Sequence, residues 1–290
     1  MHWVILTLIS AILVSFVILI EKYVIIHDLK DPVIMAGVLG PGFFLVYTIY
    51  TLIFGTFIIS LSAMIFAFFV GVFHVLALFF YYKSIKKEEV SRIIPLFSIT
   101  GIFILIFAFF FFGETFSLIQ YLGIFAIIIG SFLLSIKNFS DLRLSIAFLF
   151  AIISSFLLAM RAIFVKFASN LIPITGIFFW VGLGVLTTSL ILFITHYHKF
   201  SKKEFEGIEI LFFTSLLAAL GILSFFSAIS LAPVTLVSTL FQTYVFFTFI
   251  GATILTLVYP KFIREKLSKK IFIQKLIAII LIFIGSYFIL

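Results

Sequence analysis

Ten apolar runs, each about as long as a bilayer core is thick, follow one another along this chain with little between them. A helix needs about 20 apolar residues to cross a hydrocarbon core of roughly 30 Å. Runs of that kind fall near 3–26, 33–54, 60–82, 93–112, 117–136, 144–168, 174–195, 208–229, 234–258 and 271–290. The connections are short, and none could form a sizeable soluble domain. The runs are apolar all round, without the polar face that a soluble helix keeps at every third or fourth position. Only 10% of the residues are charged and 44 of 290 are Phe, against about 25% charged in an ordinary soluble domain. Too little polar side chain remains to cover a water-facing surface. The expected fold is all-α, a polytopic membrane protein of ten transmembrane helices. Two divisions are the least marked: residues 55–62 carry no charge, and only the neutral turn at Ala232-Pro233 separates the eighth run from the ninth.

The chain has no cysteine, which removes disulfides, thiolate metal sites and a Cys nucleophile from consideration. A formal charge of +8 would suggest nucleic acid in a soluble protein. Here it fits loops held against an anionic membrane face, so the expected partners are the lipid bilayer and a small-molecule solute, not nucleic acid. Met1-His2-Trp3 offers no cationic leader and no small-residue cleavage site follows, so the first run is expected to remain as a span.

An internal repeat is visible at a coarse level. Ile9 to Val24 lies over Ile153 to Ala168 at an offset of 144, with Lys22 matched to Lys166. Further on, Val90-Ser91 lies over Val237-Ser238, and Gly130-Ser131 over Gly285-Ser286. The matches keep their order, and the offset grows only where the later loop is longer. Residues 1–138 and 139–290 are therefore expected to be two five-helix repeats. An odd number of helices in each would place them in opposite orientations.

The stretch from Tyr81 to Ser135 carries a family likeness. It holds Tyr82-Lys83-Ser84-Ile85, then Glu89-Val90-Ser91-Arg92-Ile93-Ile94-Pro95-Leu96. After an apolar run come Phe112-Gly113-Glu114-Thr115, then Gln120-Tyr121-Leu122-Gly123 and Gly130. This resembles the fourth helix, the Gly-Glu turn and the glycine-bearing fifth helix of EamA-type transporters in the drug/metabolite transporter superfamily. The second half resembles the same pattern more loosely, with Arg264-Glu265 in place of Gly-Glu. The resemblance implies secondary-active transport of a small metabolite (an amino acid, organic anion or drug-like solute) by alternating access through a central cavity. Such transport would be coupled to a proton or another ion. It also implies a multi-pass protein of the cell membrane.

Several residues could carry that function. Arg161 sits well inside the sixth run, where a cation costs roughly 2.5–3.5 kcal/mol on insertion scales. Its fork could bind a substrate carboxylate or phosphate, or pair an acidic side chain or a free carbonyl. His74, deep in the third run, could be a proton-linked group or a neutral hydrogen-bonded helix contact. Glu21 and Lys22 close the first run, where the plain reading is a snorkelling interfacial pair. Against it, Ile25 and Ile26 carry the apolar pattern another turn and Lys22 has its repeat-mate in Lys166, so Lys22 could line a substrate site. Ser91 and Arg92 open the fourth helix, which the resemblance puts beside the cavity. Gln242, Tyr244, Trp180, Tyr47 and Tyr50 could line a substrate site, although Tyr and Trp are also the usual interface anchors. Gly40-Pro41-Gly42 could form a kink or gate, because proline removes a helix hydrogen bond and glycine permits close packing. Glu114 and Glu265 read as structural turn residues.

Other function classes leave no trace. An intramembrane enzyme needs a nucleophile with a base, paired acids or a metal cluster, and none is present; no cofactor motif appears. A passive channel usually shows a repeated filter-like motif, and none is seen, so a channel or a membrane scaffold remains the alternative. Of the 19 Lys and Arg residues, all but Arg161 and Lys166 fall in loops 1–2, 3–4, 5–6, 7–8 and 9–10 or at their helix ends. The positive-inside rule then puts both termini outside the cytoplasm, whereas EamA-type relatives are generally described with both inside. The lopsided charge favours the first arrangement.

Overall fold

The computed structural model describes residues 2–29, 31–55, 60–87, 93–135, 145–196, 201–258 and 269–290. All ten apolar runs are helical, and no strand occurs among the described residues. Helices are what lipid demands of a spanning chain, since each backbone N–H and C=O finds its partner within the segment. In order, the helices are α1 (His2–His27), α2 (Pro32–Phe54), α3 (Leu61–Lys87), α4 (Ile99–Phe112), α5 (Leu118–Ser135), α6 (Ile146–Leu171), α7 (Ile174–Thr195), α8 (Lys202–Leu231), α9 (Val234–Phe241), α10 (Tyr244–Val258) and α11 (Lys269–Ile289). Among the described residues, seven spans are long and apolar enough to cross a membrane, one of them running through α9 and α10; the helices within 96–112, 118–134 and 273–289 are shorter and apolar. Outward positions are strongly hydrophobic, with Phe110 74% and Leu118 76% exposed. A water-soluble monomer does not present such a continuous apolar coat; hydrocarbon accepts it.

Local chemistry sets the helix ends. Asp31 Oδ1 accepts from Val33 N at 2.8 Å, with Pro32 in the first turn of α2, where the missing proline N–H costs nothing. Ser201 and Glu204 form a reciprocal capping box at the start of α8, so that helix begins at 202, earlier than its apolar pattern suggests. Gly113 ends α4 in the left-handed region at φ 65°, a conformation that favours glycine. The fourth run begins as a 3-10 turn over Ile94–Ser98, where Pro95 cannot donate to an α-helical ladder. The ninth run is not one helix: Gln242 and Thr243 form a turn between α9 and α10.

The main packing pairs are α3 with α6, α2 with α7, α5 with α11 and α1 with α8, followed by α3 with α7, α2 with α8, α1 with α10 and α4 with α6. Small residues allow the closest approaches. A Cβ on Gly184 of α7 would meet the Phe68 carbonyl of α3, and one on Gly71 would meet the Val181 carbonyl. Buried hydroxyls add specificity: Ser154 donates to Ala77 O at 2.7 Å between α6 and α3, and Ser189 to Ala36 O at 3.2 Å between α7 and α2.

Candidate functional site

The deepest polar cluster joins α3 to α6. Arg161 Nη1 lies 2.7 Å from His74 Nδ1, and each residue is only 5% exposed. A guanidinium has donors alone, so Nδ1 accepts and the ring proton of the neutral imidazole resides on Nε2. The Arg161 guanidinium carbon sits 5.7 and 5.5 Å from the ring centroids of Phe225 and Phe226, within cation–π reach. The Phe43 ring packs 4.8 Å from the imidazole. Among the described residues no carboxylate pairs with Arg161, and both Arg161 Nε and His74 Nε2 lack hydrogen-bond partners. A neutral imidazole and two ring faces thus surround a membrane-embedded cation without neutralising it.

This cluster forms one end of a central cavity of about 250 Å³. Its walls come from helices on both sides of residues 136–144, and α7 contributes none of them. The lining extends from Arg161 and His74 toward the C-terminal ends of α1 and α3, where a second polar level lies. There the Tyr82 hydroxyl donates to Glu21 Oε1 at 2.8 Å, and Lys275 Nζ stands 4.0 Å from the Phe249 ring centroid. Lys22 and Tyr81 line the same level. Between the two levels the wall is largely aromatic, from Phe43, Phe97, Phe241 and Tyr244.

The turn between α9 and α10 also faces the cavity. Gln242 N and Thr243 N donate to the carbonyls of Thr239 and Leu240, each at 3.0 Å, a tight geometry where an α-helix would reach one residue further back. Gln242 Oε1, Ser238 Oγ and Thr100 Oγ1 are buried without partners, and all three residues line the cavity. Irregular backbone at membrane depth is tolerated where it lines a cavity. Beyond Arg161 the bundle is filled with rings: Tyr47 packs on Phe178 with centroids 5.3 Å apart, and Phe66 stacks on Phe167 at 5.2 Å.

The structure brings Arg161, His74, Gln242, Tyr244 and Lys22 together around one cavity. Trp180 stands apart in α7, edge-on to Phe179, and does not line it. Tyr47 is fully buried in the ring packing instead of anchoring an interface. Ser91 and Arg92, like Glu265, lie outside the described residues. At Gly40-Pro41-Gly42 the helix continues, Pro41 facing outward; a Cβ on Gly40 would meet Ser189 Oγ at 3.0 Å, and one on Gly42 would meet Ser215. Those glycines serve close contacts with α7 and α8. Sequence reasoning missed Phe225, Phe226, Tyr81 and Lys275, whose types blend into so aromatic and basic a chain. It also placed Glu21 at the interface, whereas the residue is 5% exposed and points inward.

Comparison with known proteins adds a fold and a family. A solved structure described only as the crystal structure of a protein superposes with a TM-score of 0.72, covering 99% of this chain and 95% of that one at 14% identity; the likeness is one of fold. No curated protein matches the sequence. Residues 1–136 match the EamA-like transporter family, part of the drug/metabolite transporter superfamily. The match covers a little under half of the chain. It is a multi-pass integral membrane protein, and the family its first 136 residues match is one of membrane transporters.

Within the matched residues, Gly113-Glu114 closes α4, and the structure gives this turn a specific task. The Glu114 carboxylate accepts from Val234 N at 2.7 Å and Thr235 N at 3.1 Å, capping the N-terminus of α9. On the other side of the same chain break, Lys166 Nζ donates to Ile229 O at 3.0 Å and Ala232 O at 2.9 Å, at the C-terminal end of α8. An anion thus meets the positive end of one helix and a cation the negative end of the other. The α8–α9 break is clamped by charge, at the end of the bundle away from Lys22 and Lys275.

Proposed function

We propose that this protein is a secondary-active transporter of a small metabolite in the cell membrane, working by alternating access through the central cavity. Its ten helical runs would form two inverted five-helix repeats, residues 1–138 and 139–290. The observation that carries the reading is a cavity walled by helices from both sides of the proposed repeat boundary, with ring packing closing the bundle beyond Arg161.

The packing supports the repeat. Exchanging each helical run for its counterpart five runs later turns the α3–α6 pair into α8–α1 and α3–α7 into α8–α2, counting α9 with α10 as one run, and both members of each exchange are present. The pairs α2–α7 and α5–α11 map onto themselves. Alternating access is supported by where two equivalent residues end up: Lys166 binds carbonyls at the end of α8 away from the cavity, and its repeat-mate Lys22 lines the cavity. A duplicated protein caught facing one way has to treat its two halves unequally.

The test is uptake into proteoliposomes from a panel of amino acids, nucleosides, organic anions and cationic drugs under imposed proton and sodium gradients. Accumulation above the external concentration supports coupled transport. Equilibration that no gradient accelerates indicates a channel, and a lack of any flux or binding indicates a scaffold.

A further inference from the structure

Resting on that transport reading, we infer that the inner end of the cavity binds the carboxylate of a net-anionic organic solute with an apolar body. Arg161 is the binding group and His74 its positioning residue.

The geometry of the guanidinium supplies the first step. Nη1 is committed to His74 Nδ1, while Nε is buried and unpartnered. The edge formed by Nε and Nη2 is therefore the one available, and two parallel N–H groups on such an edge match the two oxygens of a carboxylate. His74 fixes this choice. As a neutral acceptor it occupies Nη1 without cancelling the positive charge, and the rings of Phe225 and Phe226 hold the guanidinium from the side.

Charge accounting supplies the second step. The inner end holds one cation and no paired carboxylate among the described residues. A solute of net charge −1 leaves that end neutral; a zwitterion leaves it positive and a cation doubles the charge. The carboxylate of Glu21 is too far away to receive the ammonium of an α-amino acid seated on Arg161. It is bound by Tyr82, eight residues along α3 from His74, or about 12 Å of helix rise. Between the two levels stand Phe43, Phe97, Phe241 and Tyr244, which suit a flat hydrocarbon body. Gln242 Oε1, Ser238 Oγ and Thr100 Oγ1 remain as neutral partners for a hydroxyl or amide on it.

The experiment measures ligand binding to the purified full-length protein by calorimetry and thermal shift. The probes share apolar bodies and differ in charge: phenylacetate, benzoate and hexanoate as anions, phenylalanine as a zwitterion, and 2-phenylethylamine as a cation. At least one anion is expected to bind and raise the melting temperature, with the zwitterion and cation binding at least tenfold more weakly. Arg161→Gln should weaken the anion by about tenfold or more, and Arg161→Lys, which keeps the charge without the fork, should fall between. His74→Gln, whose amide oxygen can still accept from Nη1, should retain anion binding, whereas His74→Leu should lose most of it in protein that elutes as the wild type does. The inference is overturned if none of the three anions binds, if 2-phenylethylamine or phenylalanine binds as tightly as the best anion, or if well-folded Arg161→Gln binds the anion unchanged. Anion binding without uptake in proteoliposomes would leave this site standing and remove the transport reading. Uphill uptake of a cation, untouched in Arg161→Gln, would do the reverse.

Discussion

The α8–α9 clamp can be tested by removing its anionic half. Glu114 holds two backbone N–H groups at the start of α9, a helix of only 8 residues that has few hydrogen bonds of its own. Charge-assisted bonds contribute about 1.5–3 kcal/mol each when the donor is buried, but loss of a helix N-cap generally costs about 0.5–2 kcal/mol. Glu114 is half-buried, and water can replace part of what it supplies. Glu114→Ala should therefore cost about 2–3 kcal/mol, near the top of the capping range with the helix-end charge added. Glu114→Gln keeps one acceptor oxygen and loses the charge, for a cost of about 1–1.5 kcal/mol. At about 2–4 °C per kcal/mol, Glu114→Ala should lower the melting temperature by about 4–12 °C and Glu114→Gln by about half of that or less. Lys166→Met frees two carbonyls at the end of α8 and should cost about 1–3 kcal/mol. Because both side chains hold one break, Glu114→Ala combined with Lys166→Met should cost at least about 0.5 kcal/mol less than the two losses added. The assay is scanning fluorimetry of the purified variants, backed by labelling of a single cysteine at Ala232, which should become faster as the clamp loosens. A Glu114→Ala protein melting within about 1 °C of wild type, with unchanged labelling, would refute the clamp.

Gly184→Ala should destabilise the protein by about 1–3 kcal/mol or more, because its methyl would meet the Phe68 carbonyl and backbone cannot rotate away; thermal unfolding reports the loss. Trp180→Phe should leave ligand binding within about twofold, since Trp180 lies off the cavity wall and exposed or peripheral changes fall within about 0.5 kcal/mol; calorimetry with the best-bound ligand checks it. The absence of native cysteine allows orientation to be read directly. If the charge bias governs, an impermeant maleimide on intact cells should label Thr115→Cys and spare Lys87→Cys, and the reverse pattern would overturn the charge-based arrangement.

Much of the helix pattern was legible because a bilayer sets a length that a sequence can be measured against. The early start of α8 was legible too, in Ser201-x-x-Glu204, but the apolar pattern drew attention past it. The turn at Gln242-Thr243 was not, as no glycine or proline marks it. It depends on tertiary partners: the Ser131 hydroxyl reaches Gln242 O at 3.5 Å, and Gly101 leaves room for the Gln242 side chain. Arg161 and His74 were each conspicuous as polar intruders, yet their pairing spans 87 positions and no local rule connects them. Glu21 was misplaced for a related reason. On a helix apolar all round, nothing local tells an inward face from an outward one, so a charge near the end reads as interfacial even when it turns to a buried tyrosine. Lys166 stood out through the repeat, but its role depends on a chain break 63 residues later.

The units that pack are not the units of sequence. The four main helix pairs each join a helix from before residues 136–144 with one from after them. Lipid provides no hydrophobic force to bring those helices together, so close approach and buried hydrogen bonds have to do so. The contacts bear this out. Ser154 bonds Ala77 O between α6 and α3, Ser189 bonds Ala36 O between α7 and α2, and Gln274 Nε2 bonds Leu133 O at 2.9 Å between α11 and α5. Between α8 and α1, Gly221 leaves only enough room for Leu13 and Val14. Pulling residues 1–138 away from 139–290 would break all of these at once, in a medium with no water to replace the lost bonds. The proposed exchange of cavity faces is far less costly if α1 stays with α8 and α3 with α6. Those two pairs map onto each other when the proposed repeats are exchanged, while α2–α7 and α5–α11 map onto themselves, and α2–α7 packs against both mixed pairs through α3–α7 and α2–α8. A swivel of one mixed pair against the other about those self-related crossings keeps the buried serine bonds, and it leaves the cavity residues of α1, α3, α6 and α8 on the moving walls.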